Sequence, residues 1–80
     1  MQTVKQFIQE WAKEYGYDGN TDFWDFFYDM KPDVEDSSVC AERRAKFEDD
    51  NDFDDWYDYD FLEMAKPIMM ELFGYTEEDM

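Results

Sequence analysis

Carboxylates and aromatic rings are interleaved in one stretch of the sequence, EDDNDFDDWYDYDF, from Glu48 to Phe61. Eight of its fourteen positions are Asp or Glu, and five are aromatic. Nucleic-acid-binding surfaces place aromatic residues among Lys and Arg, because the bases stack on the rings and the phosphates contact the cations. This stretch has the same pattern with its charge reversed. The pattern indicates a surface that binds basic proteins.

A second acidic pattern, TDFWDFFYD, places aspartates at helical spacing. Residues three and four apart on a helix lie about 5–6 Å from each other, so Asp22, Asp25 and Asp29 would form a row of anions that a basic groove could receive like phosphates. Aromatic residues off the apolar stripes would supply contact area beside them. The candidate partner-binding residues are Asp22, Asp25, Asp29, Glu48, Asp49, Asp50, Asp52, Asp54, Asp55, Asp58, Asp60, Trp24, Tyr28 and Tyr59.

Other chemistry has little support in the sequence. The chain has no histidine, one cysteine and three glycines, which argues against zinc sites, phosphate-binding loops and histidine-based catalysis. We therefore predict no catalytic residues and no cofactor. The best calcium-loop match starts at Asp18, with Asn20 and Asp22 at positions 3 and 5, but Phe23 occupies the place of the turn glycine. No metal site is predicted, and a calcium-binding module remains a weaker alternative.

Composition limits the class of protein. Eighty residues suit one domain, residues 1–80, and the net charge of -16 by itself would suggest disorder. Aromatic residues make up 21% of the chain, however, and can bury enough apolar surface for a fold. Cys40 allows no intrachain disulfide, and neither a signal peptide nor a membrane span is present, so we expect a cytoplasmic protein. Its charge should repel membranes and nucleic acid and attract basic proteins.

Apolar periodicity predicts an all-α fold, a small single-domain helical bundle of four to five short helices, as a monomer or possible homodimer. The first helix starts after a capping box of Thr3 and Gln6, carries an apolar face from Val4 to Tyr15, and ends at Gly16. The second is capped by Thr21 and runs to about Met30, because Lys31-Pro32 disfavours its continuation.

The third helix is predicted from a Ser38 cap to about Glu48, with Arg43, Arg44 and Lys46 offsetting repulsion between acidic segments. From Asp52, as a cap, helical spacing continues toward Phe73, although Tyr57 to Phe61 also alternates like a strand. Pro67 should kink this helix or open a new one, and Gly74 should close it. Residues 76–79 are predicted to be a fraying acidic tail.

The amount of charge exceeds what solubility needs. A small domain stays soluble with a net charge of magnitude about 2–8. Duplex DNA carries one charge per about 1.7 Å, so the net charge of -16 equals that of about 27 Å of duplex. A compact domain of this length has a radius of gyration of about 12 Å and a diameter near 30 Å. The linear charge densities of the domain and of the duplex are therefore similar.

In size, charge and the two stretches EDDNDFDDWYDYDF and DFWDFFYD, the chain resembles the small acidic phage-encoded DNA-mimic inhibitors, which include anti-CRISPR and anti-restriction proteins. That class shares no single fold. The resemblance implies an inhibitor that occupies the basic DNA- or RNA-binding surface of a bacterial defence protein, such as a CRISPR effector or a restriction enzyme, in the host cytoplasm. The alternatives are an acidic adaptor or chaperone for basic proteins and a disordered activation-type segment.

Overall fold

The structure is a computed structural model that describes residues 2–80, except for the side chains of Glu42 and Asp50. Its helices are α1 (Val4–Tyr15), α2 (Phe23–Glu35), α3 (Ser38–Arg44), α4 (Asp50–Asp55) and α5 (Leu62–Phe73). A π-helical segment, Trp56–Phe61, joins α4 to α5, and a 3₁₀ turn follows at Glu77–Asp79. Residues 2–80 contain no strand, and the radius of gyration is 12.3 Å. The prediction of a small all-α domain is confirmed.

Helix α1 matches its prediction because its signals are local. Thr3 accepts a hydrogen bond from the Gln6 amide, the Gln6 side chain accepts one from the Thr3 amide, and Gly16 ends the helix with a φ of 76°. Tyr15, predicted to lie on the apolar face, is instead 54% exposed. The buried residues of the helix are Phe7, Ile8, Trp11 and Ala12.

Helix α2 starts one residue later than predicted, with Asp22 rather than Thr21 as its cap. The Asp22 carboxylate accepts hydrogen bonds from the amides of Trp24 and Asp25. The Thr21 hydroxyl instead faces the preceding turn and accepts from the Asp18 amide at 3.5 Å. An Asp and a Thr in succession both fit an N-cap, and here the packing of the loop selects the carboxylate.

Helix α2 also runs past Pro32 to Glu35, so the predicted end at Met30 is wrong. Proline in a helix interior costs about 3 kcal/mol through one missing hydrogen bond and a steric clash. In return, the extra turn buries Val34 completely and places Asp33 where its carboxylate accepts a 2.6 Å hydrogen bond from Trp11 Nε1. These tertiary contacts favour continuation of the helix.

Helix α3 is shorter than predicted. It begins after Ser37, not Ser38, and it ends at Arg44 rather than near Glu48. Beyond Arg44 the chain makes tight turns that bring Phe47 against the rings of Phe53 and Trp56, with ring centroids 6.0 and 6.2 Å away. The early end of α3 thus coincides with the packing of Phe47 into this aromatic cluster.

Residues 50–73 form one continuous helical segment, here called the long helix. Its cap is Asp49, which accepts from the amides of Asn51 and Asp52, so the predicted Asp52 cap is wrong. The helical alternative for Tyr57 to Phe61 is confirmed over the strand, although these residues are π-helical. Pro67 lies inside α5 and does not open a new helix, and Gly74 ends it with a φ of 78°.

The segment predicted to be a fraying tail forms a 3₁₀ turn, and the residue before it packs into the core. Tyr75 is buried, and its hydroxyl donates a hydrogen bond to the backbone carbonyl oxygen of Thr21 at 2.5 Å. The carbonyl oxygen of Asp18 lies 3.0 Å from the same hydroxyl. Thr76 and Asp79 form a capping box around the 3₁₀ turn. The loop before α2 thus lies against the end of the long helix, and a Cβ on Gly19 would come within 2.2 Å of the Phe73 carbonyl oxygen.

Candidate protein-binding surface

The acidic side chains lie at the surface. No charged residue among those described is buried. Within the described part of the chain, two ion pairs form, Lys5–Glu71 at 3.1 Å and Lys31–Asp54 at 3.0 Å. Most of the net charge of -16 therefore faces solvent without a basic side chain in contact.

The aspartates predicted on the second helix form the start of a longer row. Because α2 continues past Pro32, Asp33 and the C-terminal cap Asp36 extend the pattern of Asp22, Asp25 and Asp29. We call these five residues the α2 row. Their spacing of three, four, four and three residues keeps them on one side of the helix over about 21 Å, at a rise of 1.5 Å per residue. The spacing of the aspartates was visible in the sequence, but the expected stop at Pro32 concealed its continuation.

Hydrogen-bond donors hold several members of the α2 row in place. Asp22 is fixed by the cap, Asp29 accepts a 2.5 Å hydrogen bond from the Tyr17 hydroxyl, and Asp33 accepts from Trp11. The hydrogen bond to Asp29 is the main reason that the pKa of Tyr17 is raised. These donors carry no positive charge, so they orient the carboxylates without neutralising them.

Another side of α2 contacts the long helix. The Tyr28 hydroxyl donates to Asp58 at 3.4 Å, and Lys31 pairs with Asp54. Burial, followed by the charge of Asp58, raises the pKa of Tyr28. A third contact joins the two helices: the buried Tyr57 hydroxyl donates a hydrogen bond to the Phe27 carbonyl oxygen. Burial raises the pKa of Tyr57. Asp54 and Asp58 thus help to join two helices. The centre of the α2 row lies about 100° from Tyr28 and about 160° from Lys31 around the α2 axis, and Asp25, three residues before Tyr28, is the member of the row nearest to this contact.

Four other acids of the long helix, Asp52, Asp55, Asp60 and Glu63, line a concave surface beside α3 that we call the α3 groove. It consists of two adjoining clefts of about 400 and about 420 Å³, which share Arg43, Trp56 and Asp60. On the long-helix side the groove is lined by Asp52, Asp55, Trp56, Tyr59, Asp60, Glu63 and Met64. On the other side it is lined by Val4, Val39, Arg43, Lys46 and Phe47.

Arg43, at the end of α3, and Lys46, in the turn after it, lie close to acidic side chains. Arg43 and Lys46 line the same groove as Asp52, Asp55 and Asp60, but neither base enters the two ion pairs formed by described side chains. Arg44 donates to the Glu35 backbone carbonyl at 2.5 Å. The placement of Arg43 and Lys46 supports the interpretation that they offset local repulsion.

The predicted site residues are therefore divided among three faces and do not form one surface. Asp22, Asp25 and Asp29 belong to the α2 row, and Asp54 and Asp58 contact α2. A larger group occupies or flanks the α3 side: Glu48, Asp49, Asp52, Asp55, Tyr59 and Asp60. The side chain of Asp50 lies outside the described residues. Asp33, Asp36, Glu63 and Met64 lie beside these residues and were not among those predicted.

Three aromatic residues were expected at the surface, and two of them lie there. Tyr59 is 70% exposed and Tyr28 is 45% exposed. Trp24 is half-buried, because its ring packs edge-on against Phe23 at 5.0 Å and near-parallel to Tyr28 at 6.1 Å. Most of the other rings form the core, as predicted.

The Asp18 segment uses its carboxylates for backbone contacts. Asp18 accepts from the Asn20 amide at 2.8 Å, and Asp22 caps α2. Such contacts are the usual role of Asp in turns and at helix starts. Across the described residues, no group of three or more acidic, Cys or His side chains has a geometry that could hold a metal ion.

Comparisons with known proteins add no relative. No protein-family model matches the chain, and neither a curated protein nor a solved structure matches it. Within residues 2–80, no helix is both long and apolar enough to cross a membrane. Any functional assignment of this chain therefore depends on its own surface.

Proposed function

We propose that this protein is a nucleic-acid mimic that inhibits a bacterial defence protein, such as a CRISPR effector or a restriction enzyme, by occupying its basic DNA- or RNA-binding surface. The α2 row is the observation that carries this proposal. It presents five carboxylates along about 21 Å of one helix side. One strand of duplex DNA carries a charge per about 3.4 Å, or about six charges over the same length.

The whole molecule has a comparable charge density. Its longest dimension is 36 Å, a length over which duplex DNA carries about 21 charges. The net charge of -16 is about three quarters of that number. A groove shaped for duplex or heteroduplex would therefore meet a similar potential on this protein.

The fixed geometry of the row also supports competition with nucleic acid. Carboxylates that are already oriented lose less conformational entropy on binding than mobile ones do. Tyr17 and Trp11 orient Asp29 and Asp33 in this way, while Asp25 remains exposed. An acidic protein without such order would bind basic surfaces more weakly and less selectively.

A competition experiment tests the proposal. The immobilised protein is used to capture proteins from a bacterial lysate, and bound proteins are eluted with duplex DNA or with RNA and identified by mass spectrometry. The purified target is then titrated with fluorescently labelled nucleic acid at several inhibitor concentrations. We expect the apparent Kd of the nucleic acid to increase in proportion to inhibitor concentration. A ternary complex of target, nucleic acid and inhibitor would refute the mimic.

The same experiment separates the adaptor or chaperone alternative. Such a protein would bind several unrelated basic proteins with similar affinities, whereas a mimic should prefer one target. Histones and protamine serve as basic test proteins. Binding to them as tight as to the captured target would favour the chaperone.

A further inference from the structure

The α3 groove combines an apolar floor with an acidic wall. At its base Trp56 is buried and Phe47 is half-buried, while Tyr59 and Met64 remain 70% and 41% exposed. These are two of the five large hydrophobic side chains classed as exposed among the described residues. An exposed Tyr and Met beside a concave, partly apolar surface are typical of a protein interface.

The spacing along the groove fits a helix as its occupant. The long-helix residues that line it recur at intervals of three, one, three, one, three and one positions, from Asp52 to Met64. The groove therefore follows one side of the long helix over about 12 residue positions, which is at most about 18 Å at the α-helical rise. A groove of that length is suited to an amphipathic helix whose apolar side chains recur at three- and four-residue steps.

The charges on the groove define the chemistry of that helix. Asp52, Asp55, Asp60 and Glu63 provide four carboxylates, against the two cations Arg43 and Lys46. The excess is negative, and the surrounding protein is strongly acidic. A second copy of this chain would carry the same net charge of -16 and be repelled, so a basic partner is favoured.

We propose that the α3 groove binds a basic amphipathic α-helix of the inhibited protein. Apolar residues of that helix contact Tyr59, Met64 and Trp56, and its Lys and Arg residues contact the acidic wall. This inference rests on the proposed function, because a helix that enters the DNA major groove is a common nucleic-acid-reading element. The inference assigns such a helix to a second binding site on this protein, which is distinct from the α2 row.

Designed peptides test the site without knowledge of the target. The first probe is a 16-residue peptide with Leu at helical spacing and Lys and Ala at the other positions, and the second has two central residues replaced by Pro. Both are titrated into ¹⁵N-labelled protein at physiological salt. We expect the helical peptide to bind about tenfold more tightly, because its apolar stripe persists. Its largest amide shifts should fall at Val39, Tyr59 and Met64.

Matched substitutions test the contacts. Tyr59→Ala with Met64→Ala should weaken binding of the helical peptide about tenfold, because both exposed anchors are lost. Tyr15→Ala with Met70→Ala removes the same residue types from exposed positions elsewhere, 54% and 39% exposed, and should leave binding unchanged. Circular dichroism checks that both double variants remain helical.

Removal of the two cations that line the groove should have the opposite effect on peptide binding. Arg43→Gln with Lys46→Gln should tighten binding of the Lys-rich peptide several-fold, because two like charges are removed. Weaker binding in this variant would overturn the basic occupant. Equal binding of the two peptides, or shifts confined to the α2 row, would overturn the groove as a helix site.

Failure of the groove inference and failure of the proposed function would give different results. If the Tyr59 and Met64 variant inhibits the target normally while charge reversal in the α2 row abolishes inhibition, the groove inference is wrong and the mimic stands. If the protein never displaces nucleic acid but the groove still binds the helical peptide selectively, the mimic is wrong and the groove remains a helix-binding site. Concentration-dependent dimerisation that the peptide reverses would identify a second copy as the occupant and overturn the inference.

Discussion

Charge reversal in the α2 row offers a direct test of the mimic. Asp25 and Asp29 are both exposed and lie one helical turn apart on α2. The double variant Asp25→Lys and Asp29→Lys changes the net charge from -16 to -12, since each reversal adds two units. We expect it to lose most of its affinity for the target while its helicity is retained.

The size of the effect follows from Coulomb's law. Opposite charges about 4 Å apart attract by about 1 kcal/mol in water, and a reversal replaces this attraction by a similar repulsion, so each site changes binding by about 2 kcal/mol. Screening at physiological ionic strength, with a Debye length of about 8 Å, lowers the combined effect to about 2–3 kcal/mol. The Kd should therefore increase about 30- to 150-fold.

The assay is competition anisotropy with the captured target at low and physiological salt. The matched control is Glu77→Lys with Glu78→Lys, which has the same net charge of -12 but alters exposed residues of the 3₁₀ turn. We expect less than about a threefold change from this control, because it leaves the α2 row intact. The variant in the row should also show a weaker salt dependence. Equal losses in both variants would show that net charge alone matters and would refute the role of the row.

Three further predictions concern stability. Val34→Ala should lower the free energy of unfolding by about 2–3 kcal/mol in urea denaturation, because Val34 is fully buried in the turn beyond Pro32. An effect near zero would contradict the continuation of α2 past Pro32. Burial, followed by the charge of Asp18, raises the pKa of Tyr75 to about 12. The neutral Tyr75 hydroxyl therefore contributes fully to the free energy of unfolding below pH 10, and this contribution declines as the pH rises through 12. Tyr75→Phe should flatten that decline in a pH series of unfolding curves, and an unchanged profile would oppose this assignment. Added salt, from about 20 to about 150 mM, should raise the thermal midpoint by screening carboxylate repulsion, and a steady fall would contradict it.

The sequence predicted those features that depend on neighbours within about four residues. The capping box at Thr3, the left-handed glycines Gly16 and Gly74, and the apolar face of α2 are all present. Each is a local interaction or a periodicity, so it can be inferred without knowledge of distant contacts. The large aromatic fraction likewise predicted a folded core despite the charge.

Element ends were less predictable because tertiary contacts compete with local preferences. Pro32 disfavours helix locally, yet burial of Val34 and the bond from Trp11 to Asp33 extend α2 beyond it. Phe47 ends α3 early by packing on Phe53. In both cases a residue more than five positions away in the sequence supplies the deciding contact, and the local pattern contains no information about it.

The candidate site shows the same division. Composition and spacing alone determined that the surface is strongly acidic and that aspartates line one side of the second helix. Only the tertiary structure decided that Asp54 and Asp58 join α2 while Asp55 and Asp60 face α3. A helix periodicity defines which residues share a side, but the packing of other helices decides which sides remain open to solvent. The α3 groove exists because α3 and the turn after it fold back against the long helix around an aromatic cluster, with Val4 of α1 beside them, and such a concave surface is a property of the fold.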